Sequence, residues 1–188
     1  ALKIVDAIKP KMDDIISIGK KDDMQKALLA AFNNNTAFKA DELKAMHEKA
    51  FEMAYADTEN QTYQAMEAFI HNLNTMNSRA GAQVPFSSVN YGTDTSPEGR
   101  MVIRNILLAL DAGLGHGETC IFPIHIFKVK EGVNYNEDDP NYDLFRLSCK
   151  VSAKRLFPNY TFLDSPFNLQ YYVPGRPETE VATMGCRT

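Results

Sequence analysis

Hydrophobic positions recur at helical spacing through the first third of the chain. Ile4, Ile8 and Met12 outline a short amphipathic stretch limited by Pro10. Met24, Leu28 and Leu29 mark a second helix, which the polar run Asn33-Asn34-Asn35-Thr36 closes. Asp41 has the character of an N-cap ahead of Leu43, Met46, Ala50, Met53 and Ala54. Another helix is expected from about Thr58, with Tyr63, Met66, Ile70, Leu73 and Asn77 on one face, widened by Phe69 and Met76. Met and aromatic stripes at this spacing ordinarily serve a packed core or a helix interface.

The texture changes at Ser78. Val84 to Tyr91 reads as a strand, with Pro85 marking an edge, a bulge or a strand beginning. Ser96-Pro97-Glu98 carries three helix-start signals: a capping hydroxyl, proline at the first helical position and an acid in the first turn. The helix through Met101, Val102, Ile103, Ile106, Leu107, Leu108 and Leu110 is apolar nearly all round and should be buried. Glycines from Gly113 end it, and Cys120 to Val129 reads as the next strand. Asp139-Pro140 repeats the cap-plus-proline device before a helix carrying Leu144, Leu147, Val151 and Leu156, which Pro158 stops. Tyr160 to Leu163 is a last short strand. Strand, helix, strand, helix, strand with long connections predicts a parallel α/β sheet, too short to close a barrel by itself. The expected organisation is a mainly helical segment over 1–77 and an α/β segment over 78–188.

Composition narrows the function. The chain has 188 residues, 44% of them hydrophobic and 23% charged, a globular balance. Twenty basic against twenty-four acidic residues give a net charge of −4, so nothing gathers phosphate backbones and nucleic acid is not an expected partner. No apolar run approaches the ~20 residues of a membrane span. Three widely spaced cysteines suit neither a disulfide framework nor a thiolate metal site, so no metal is expected here and a cytoplasmic setting is.

Four places could carry chemistry. Gly113-Leu114-Gly115-His116-Gly117-Glu118 is rich in glycine, which lets backbone N–H groups approach phosphate, but it follows a helix and precedes a strand; a helix stop is the alternative. Asn77-Ser78-Arg79-Ala80-Gly81-Ala82-Gln83 surrounds an arginine and an amide with small residues, as an anion site or a structural turn would. His125 stands in an apolar strand, a core histidine, or else a metal ligand or a base. Cys186, between Gly185 and Arg187, is a reactive thiol or a structural one. Cys120 and Cys149 read as small hydrophobes in a strand and a helix.

Several long strings resemble the anaerobic (class III) ribonucleoside-triphosphate reductases. They are His71-Asn72-Leu73-Asn74-Thr75-Met76, Ser78 to Ser88, Asn90 to Ser96, Gly113 to Thr119, Phe122 to Lys128, Asp139 to Asp143, Phe167-Asn168, and Ala182-Thr183-Met184-Gly185-Cys186-Arg187-Thr188. The resemblance is dense over roughly 58–188. It implies a ten-stranded α/β barrel of two five-stranded halves, threaded by a finger loop whose cysteine becomes a transient thiyl radical. Cys186 matches that cysteine. It further implies ribonucleoside triphosphate substrates, deoxyribonucleoside triphosphate and ATP effectors, a homodimer, an iron–sulfur S-adenosylmethionine activating enzyme, and formate (or, in some members, a thiol-based system) as reductant. Gly113, Leu114, Gly115, His116, Gly117 and Glu118 would link effector to substrate base, Ser78, Arg79, Gln83 and Asn90 would lie near substrate, and the helix through Tyr63 to Met76 would belong to the dimer face.

The family's glycyl radical, four-cysteine zinc site and second active-site cysteine find no counterpart in these residues. On that ground the chain is expected to be a fragment, inactive alone. The alternative is a catalytically inactive nucleotide-binding or oligomerisation module derived from such an enzyme. A lyase of the formate-acetyltransferase kind is disfavoured by the single cysteine in Gly185-Cys186-Arg187.

Overall fold

The structure, a computed structural model, describes Lys26, Ala30, 40–76 and 83–185. The readings made for Ile4 to Met12, for Met24, Leu28 and Leu29, and for Asn77 lie outside the described residues. The chain packs as two compact units, Ala1–Thr58 and Glu59–Thr188.

A single helix, α1, spans Ala40–Thr75 where the spacing predicts two. Thr58 does not start a helix. Its hydroxyl donates to the Ala54 carbonyl at 2.7 Å, a back-bond that keeps a threonine inside a helix. Asp41 likewise sits in the first turn, where its charge complements the helix dipole, and is not the cap. In the first unit the described half of α1 exposes Met46, Met53 and Tyr55.

The second unit takes in the rest of α1 and a three-stranded parallel sheet, β1 (Ser88–Tyr91), β2 (Ile124–Val129) and β3 (Asn159–Phe162), in that spatial order. α2 (Pro97–Ala112) and α3 (Tyr142–Arg155) make the two crossovers and pack against one another. A short helix, α4 (Pro166–Leu169), and a 3-10 turn at Pro177–Thr179 follow. The α/β class is as the sequence predicts; β1 and β2 start later than the runs from Val84 and Cys120 that announce them, and β3 lies one residue earlier than the predicted Tyr160 to Leu163.

Local signals explain most of these elements. The Ser96 hydroxyl accepts from Gly99 N–H at 3.0 Å, and Pro97 opens α2. Gly113, at φ 82°, caps its C-terminus by donating to the Ala109 carbonyl. α2 is not buried all round: Ile103, Asn105, Ile106, Leu107, Ala109 and Leu110 are buried, whereas Val102 faces solvent. The second proline device behaves otherwise. Asp139 does not cap α3; its carboxylate accepts from the amides of Tyr135 and Asn136 at 2.9 and 2.8 Å, closing the preceding turn. Asn141 occupies the cap position, and its carboxamide reaches instead to the carbonyls of Gly92 and Asp94. Leu156 leaves the apolar stripe of α3, since the chain turns left-handed there (φ 65°) and exposes it.

The core lies on one face of the sheet. Ile70, Tyr63 and Met66 of α1, the inner side of α2, Leu144 and Val151 of α3, and Val89, Tyr91, Phe127, Val129 and Tyr160 of the strands form one cluster. Cys120 belongs to it but precedes β2, and Cys149 is exposed on α3, not a buried filler. Asn74 ties the end of α1 to the same unit: its oxygen accepts from Ile121 and Phe122 N–H, and its nitrogen donates to the Phe122 carbonyl.

Candidate functional site

Side chains alternate across a strand, and directly paired residues of a parallel ladder share a face. Val89 pairs with His125, and Tyr91 with Phe127 and so with Tyr160, on the helix-covered face. The other face therefore carries Ser88 and Asn90 from β1, Ile124, Ile126 and Lys128 from β2, and Asn159 and Thr161 from β3. The helices of the core, α1, α2 and α3, pack on the opposite face. Ile126 is nonetheless fully buried, because the chain returns across this face as a strap over 180–185.

The strap runs along β2 from its carboxyl end to its amino end. Glu180 forms ion pairs with Lys128 and, at 3.3 Å, with Lys130. Thr183 is bonded twice by one side chain: Asn90 Nδ2 donates to its carbonyl at 2.9 Å, and its N–H donates to Asn90 Oδ1 at 3.1 Å. Its hydroxyl lies 3.3 Å from that of Thr161. Gly185 then rests against Ile124. The strap is thus tied to all three strands. Burial pushes the Glu180 carboxyl up, but bonding to and the charges of Lys128 and Lys130 outweigh it and hold the group below its usual range, ionised at neutral pH.

The helix-side face offers no comparable chemistry. His125 is completely buried, its Nδ1 3.1 Å from the Tyr91 hydroxyl and its Nε2 without a partner among the described residues. Burial drives its pKa down to about 4, so it is neutral at pH 7, a core histidine. Burial also raises the Tyr91 hydroxyl and the Cys120 thiol, against the small lowering influence of Arg155 on the latter.

The glycine loop is built as a helix stop. Leu114 N–H donates to the Glu118 carbonyl at 2.8 Å, Gly117 N–H to that of Leu114 at 2.5 Å, and His116 N–H to the Glu118 carboxylate at 3.0 Å. Arg155, buried at the end of α3, donates to the carbonyls of Asp111, Ala112 and Gly117. The Arg155 bonds satisfy the carbonyls of Asp111 and Ala112 at the end of α2, and Gly115, His116, Gly117 and Glu118 stay exposed. The loop belongs to the end of the sheet where β2 begins.

Of the residues singled out from sequence, Ser78, Arg79 and Cys186 lie outside the described residues. Gln83 is exposed in an isolated bridge before β1. Asn90 holds the strap. Sequence reasoning passed over Lys128, Thr161, Glu180 and Thr183; the available signal was polar residues (Asn90, Lys128, Thr161) in otherwise apolar strands. Among the described residues no three His, Cys, Asp or Glu side chains converge as metal ligands would, and no helix is long and apolar enough to cross a membrane.

Comparison with known proteins agrees with the strings quoted above. A family model for anaerobic ribonucleoside-triphosphate reductase matches residues 22–188. The anaerobic ribonucleoside-triphosphate reductase of Enterobacteria phage T4 is 36% identical over 140 residues, 74% of this chain and 22% of the phage protein. Those of Salmonella typhimurium and Escherichia coli K12 are 33% and 32% identical over 136 residues, 72% of this chain and 18% of each relative. The chain thus spans about a fifth of the length of the curated relatives it matches.

Proposed function

The chain belongs to the anaerobic ribonucleoside-triphosphate reductase family, and on that footing we propose that it supplies the strands and cysteine-bearing loop around which such an enzyme reduces ribonucleoside triphosphates. The three parallel strands are read as part of a ten-stranded barrel, with the helix-covered face outside and the face bearing Asn90, Lys128 and Thr161 inside. The strap is read as the limb of the finger loop that leads into Cys186. The observation that carries this reading is the strap: a segment ending one residue before Cys186 is fixed along the polar face of a parallel sheet, instead of trailing from it.

Cys186 acts as the hydrogen carrier. An S–H bond and the ribose 3′ C–H bond are comparable in strength, so a sulfur radical takes that hydrogen almost reversibly. The 2′ hydroxyl then leaves as water on protonation. Two electrons and a proton from the reductant, formate in this reading, complete the 2′ C–H bond. The Cys186 S–H returns hydrogen to the 3′ carbon, and the sulfur radical is regenerated. The protein's share is geometry: it holds sugar and sulfur in reach and excludes quenchers. The glycyl radical that oxidises Cys186, the zinc site and the docking surface for an iron–sulfur activating enzyme are assigned to residues other than these. The 113–118 loop is read as coupling a deoxyribonucleoside triphosphate or ATP effector to base choice in a homodimer.

The test is made on the activated enzyme containing this sequence, under anoxia. Cys186→Ala and Cys186→Ser are expected to abolish deoxynucleotide formation while the glycyl radical signal still develops on activation. Reduction by the alanine variant would end the proposal.

A further inference from the structure

Asparagine is disfavoured in strands, yet Asn90 sits within β1, on the face opposite the core. Its carboxamide replaces a neighbouring strand: one side chain accepts from the N–H and donates to the carbonyl of the same residue, Thr183, ninety-three positions away. The other ties to the strap are made by side chains or by close packing: Glu180 with Lys128 and Lys130, the Thr183 hydroxyl with Thr161, Gly185 against Ile124. Flexible lysines and hydroxyl rotors tolerate a shift of an ångström. A planar amide bonded to both backbone groups of one residue does not, because in extended chain the next residue points its N–H and carbonyl the opposite way.

We propose that Asn90 is a positioning residue of the reaction, its carboxamide fixing the register of the 180–185 strap and hence the placement of Cys186. This rests on the reading of Cys186 given above. It differs from a role in touching substrate: the amide is occupied at both ends by Thr183. Loss of the clamp misplaces sulfur relative to sugar, so the chemical step suffers and nucleotide affinity does not.

Asn90→Ala in the activated enzyme is expected to lower kcat at least tenfold and change KM for the ribonucleotide less than twofold. In the same protein the Thr183 amide should exchange hydrogen at least tenfold faster, with β2 amides unchanged. Asn90→Asp supplies a readout that simple loss of packing would not give. As a carboxylate it lacks a donor for the Thr183 carbonyl; protonated, it regains both bonds. The ratio of its kcat to wild type should rise at least threefold from pH 8 to pH 6, while the ratio for Asn90→Ala stays flat. The proposal is overturned by a kcat within twofold for Asn90→Ala, by an effect confined to KM, by unchanged Thr183 exchange, or by a flat ratio for Asn90→Asp. Cys186→Ala in the same assay judges the radical reading separately, and Thr183 exchange judges the clamp whatever that control shows.

Discussion

Gly185 meets Ile124 at a distance that admits no side chain. A Cβ at position 185 would stand 2.5 Å from Ile124 Cβ and 2.6 Å from each of its Cγ atoms. Here glycine is required by close approach: it lets the strap lie down on the first residue of β2, immediately before Cys186.

Gly185→Ala should therefore lift the strap without unfolding the core. Overpacking of this kind costs about 1–3 kcal/mol where neighbours must yield, but the strap can yield by peeling away. The expected result is a urea midpoint close to wild type, faster hydrogen exchange over 180–185, and at least a tenfold fall in kcat of the activated enzyme. A fall in global stability with 180–185 still protected would contradict it.

Arg155 offers the second test. Its guanidinium is buried and serves three carbonyls at the end of α2 and in the glycine loop. Arg155→Ala strands those acceptors and should lower stability by about 3 kcal/mol, given the usual size of bonds to charged groups. Arg155→Lys should recover only part of this, since an ammonium cannot span the same fork. Urea denaturation of the three proteins measures both.

His125 makes the fold acid-sensitive in a defined window. Its folded-state pKa is about 4, against an unfolded value near 6.5. Above pH ~6.5 neither state holds the proton; below it the unfolded chain takes one and the folded chain does not, so stability falls as pH is lowered through that window and levels off below about 4. The shift corresponds to about 3 kcal/mol. His125→Phe should flatten the slope of stability against pH between 6.5 and 4.5, whatever it does at pH 7. An unchanged slope would mean that His125 is not buried neutral.

Gly115 separates structure from allostery. Its chain neighbours aside, no atom lies within 4 Å of where a Cβ would stand, so Gly115→Val should keep the wild-type urea midpoint. If the exposed loop couples effector to substrate, the same variant should alter which ribonucleotide each effector favours. Competition assays with mixed ribonucleoside triphosphates, run with each effector in turn, read this directly; identical preference profiles would remove the loop from the coupling.

Much of the fold was legible because it is written locally. Ser96 with Pro97, Gly113 with the last turn of α2, and the apolar periods of α2, α3 and β2 each involve residues within a few positions of one another, where spacing alone fixes the geometry. The Asp139-Pro140 pair shows the limit of that logic. The same residues serve a cap or a turn, and the choice fell to Asn141, whose carboxamide is drawn off to Gly92 and Asp94 across the sheet.

By itself the sequence determined the α/β order, both ends of α2 and the family strings, since hydrogen bonding and burial within a dozen residues decide these. Tertiary structure decided which polar residues act together. Asn90 with Thr183, Lys128 with Glu180 and Arg155 with Gly117 are far apart along the chain. An amide, an ammonium or a guanidinium names the kind of partner it needs but not its address; only closing the chain over the sheet supplies that.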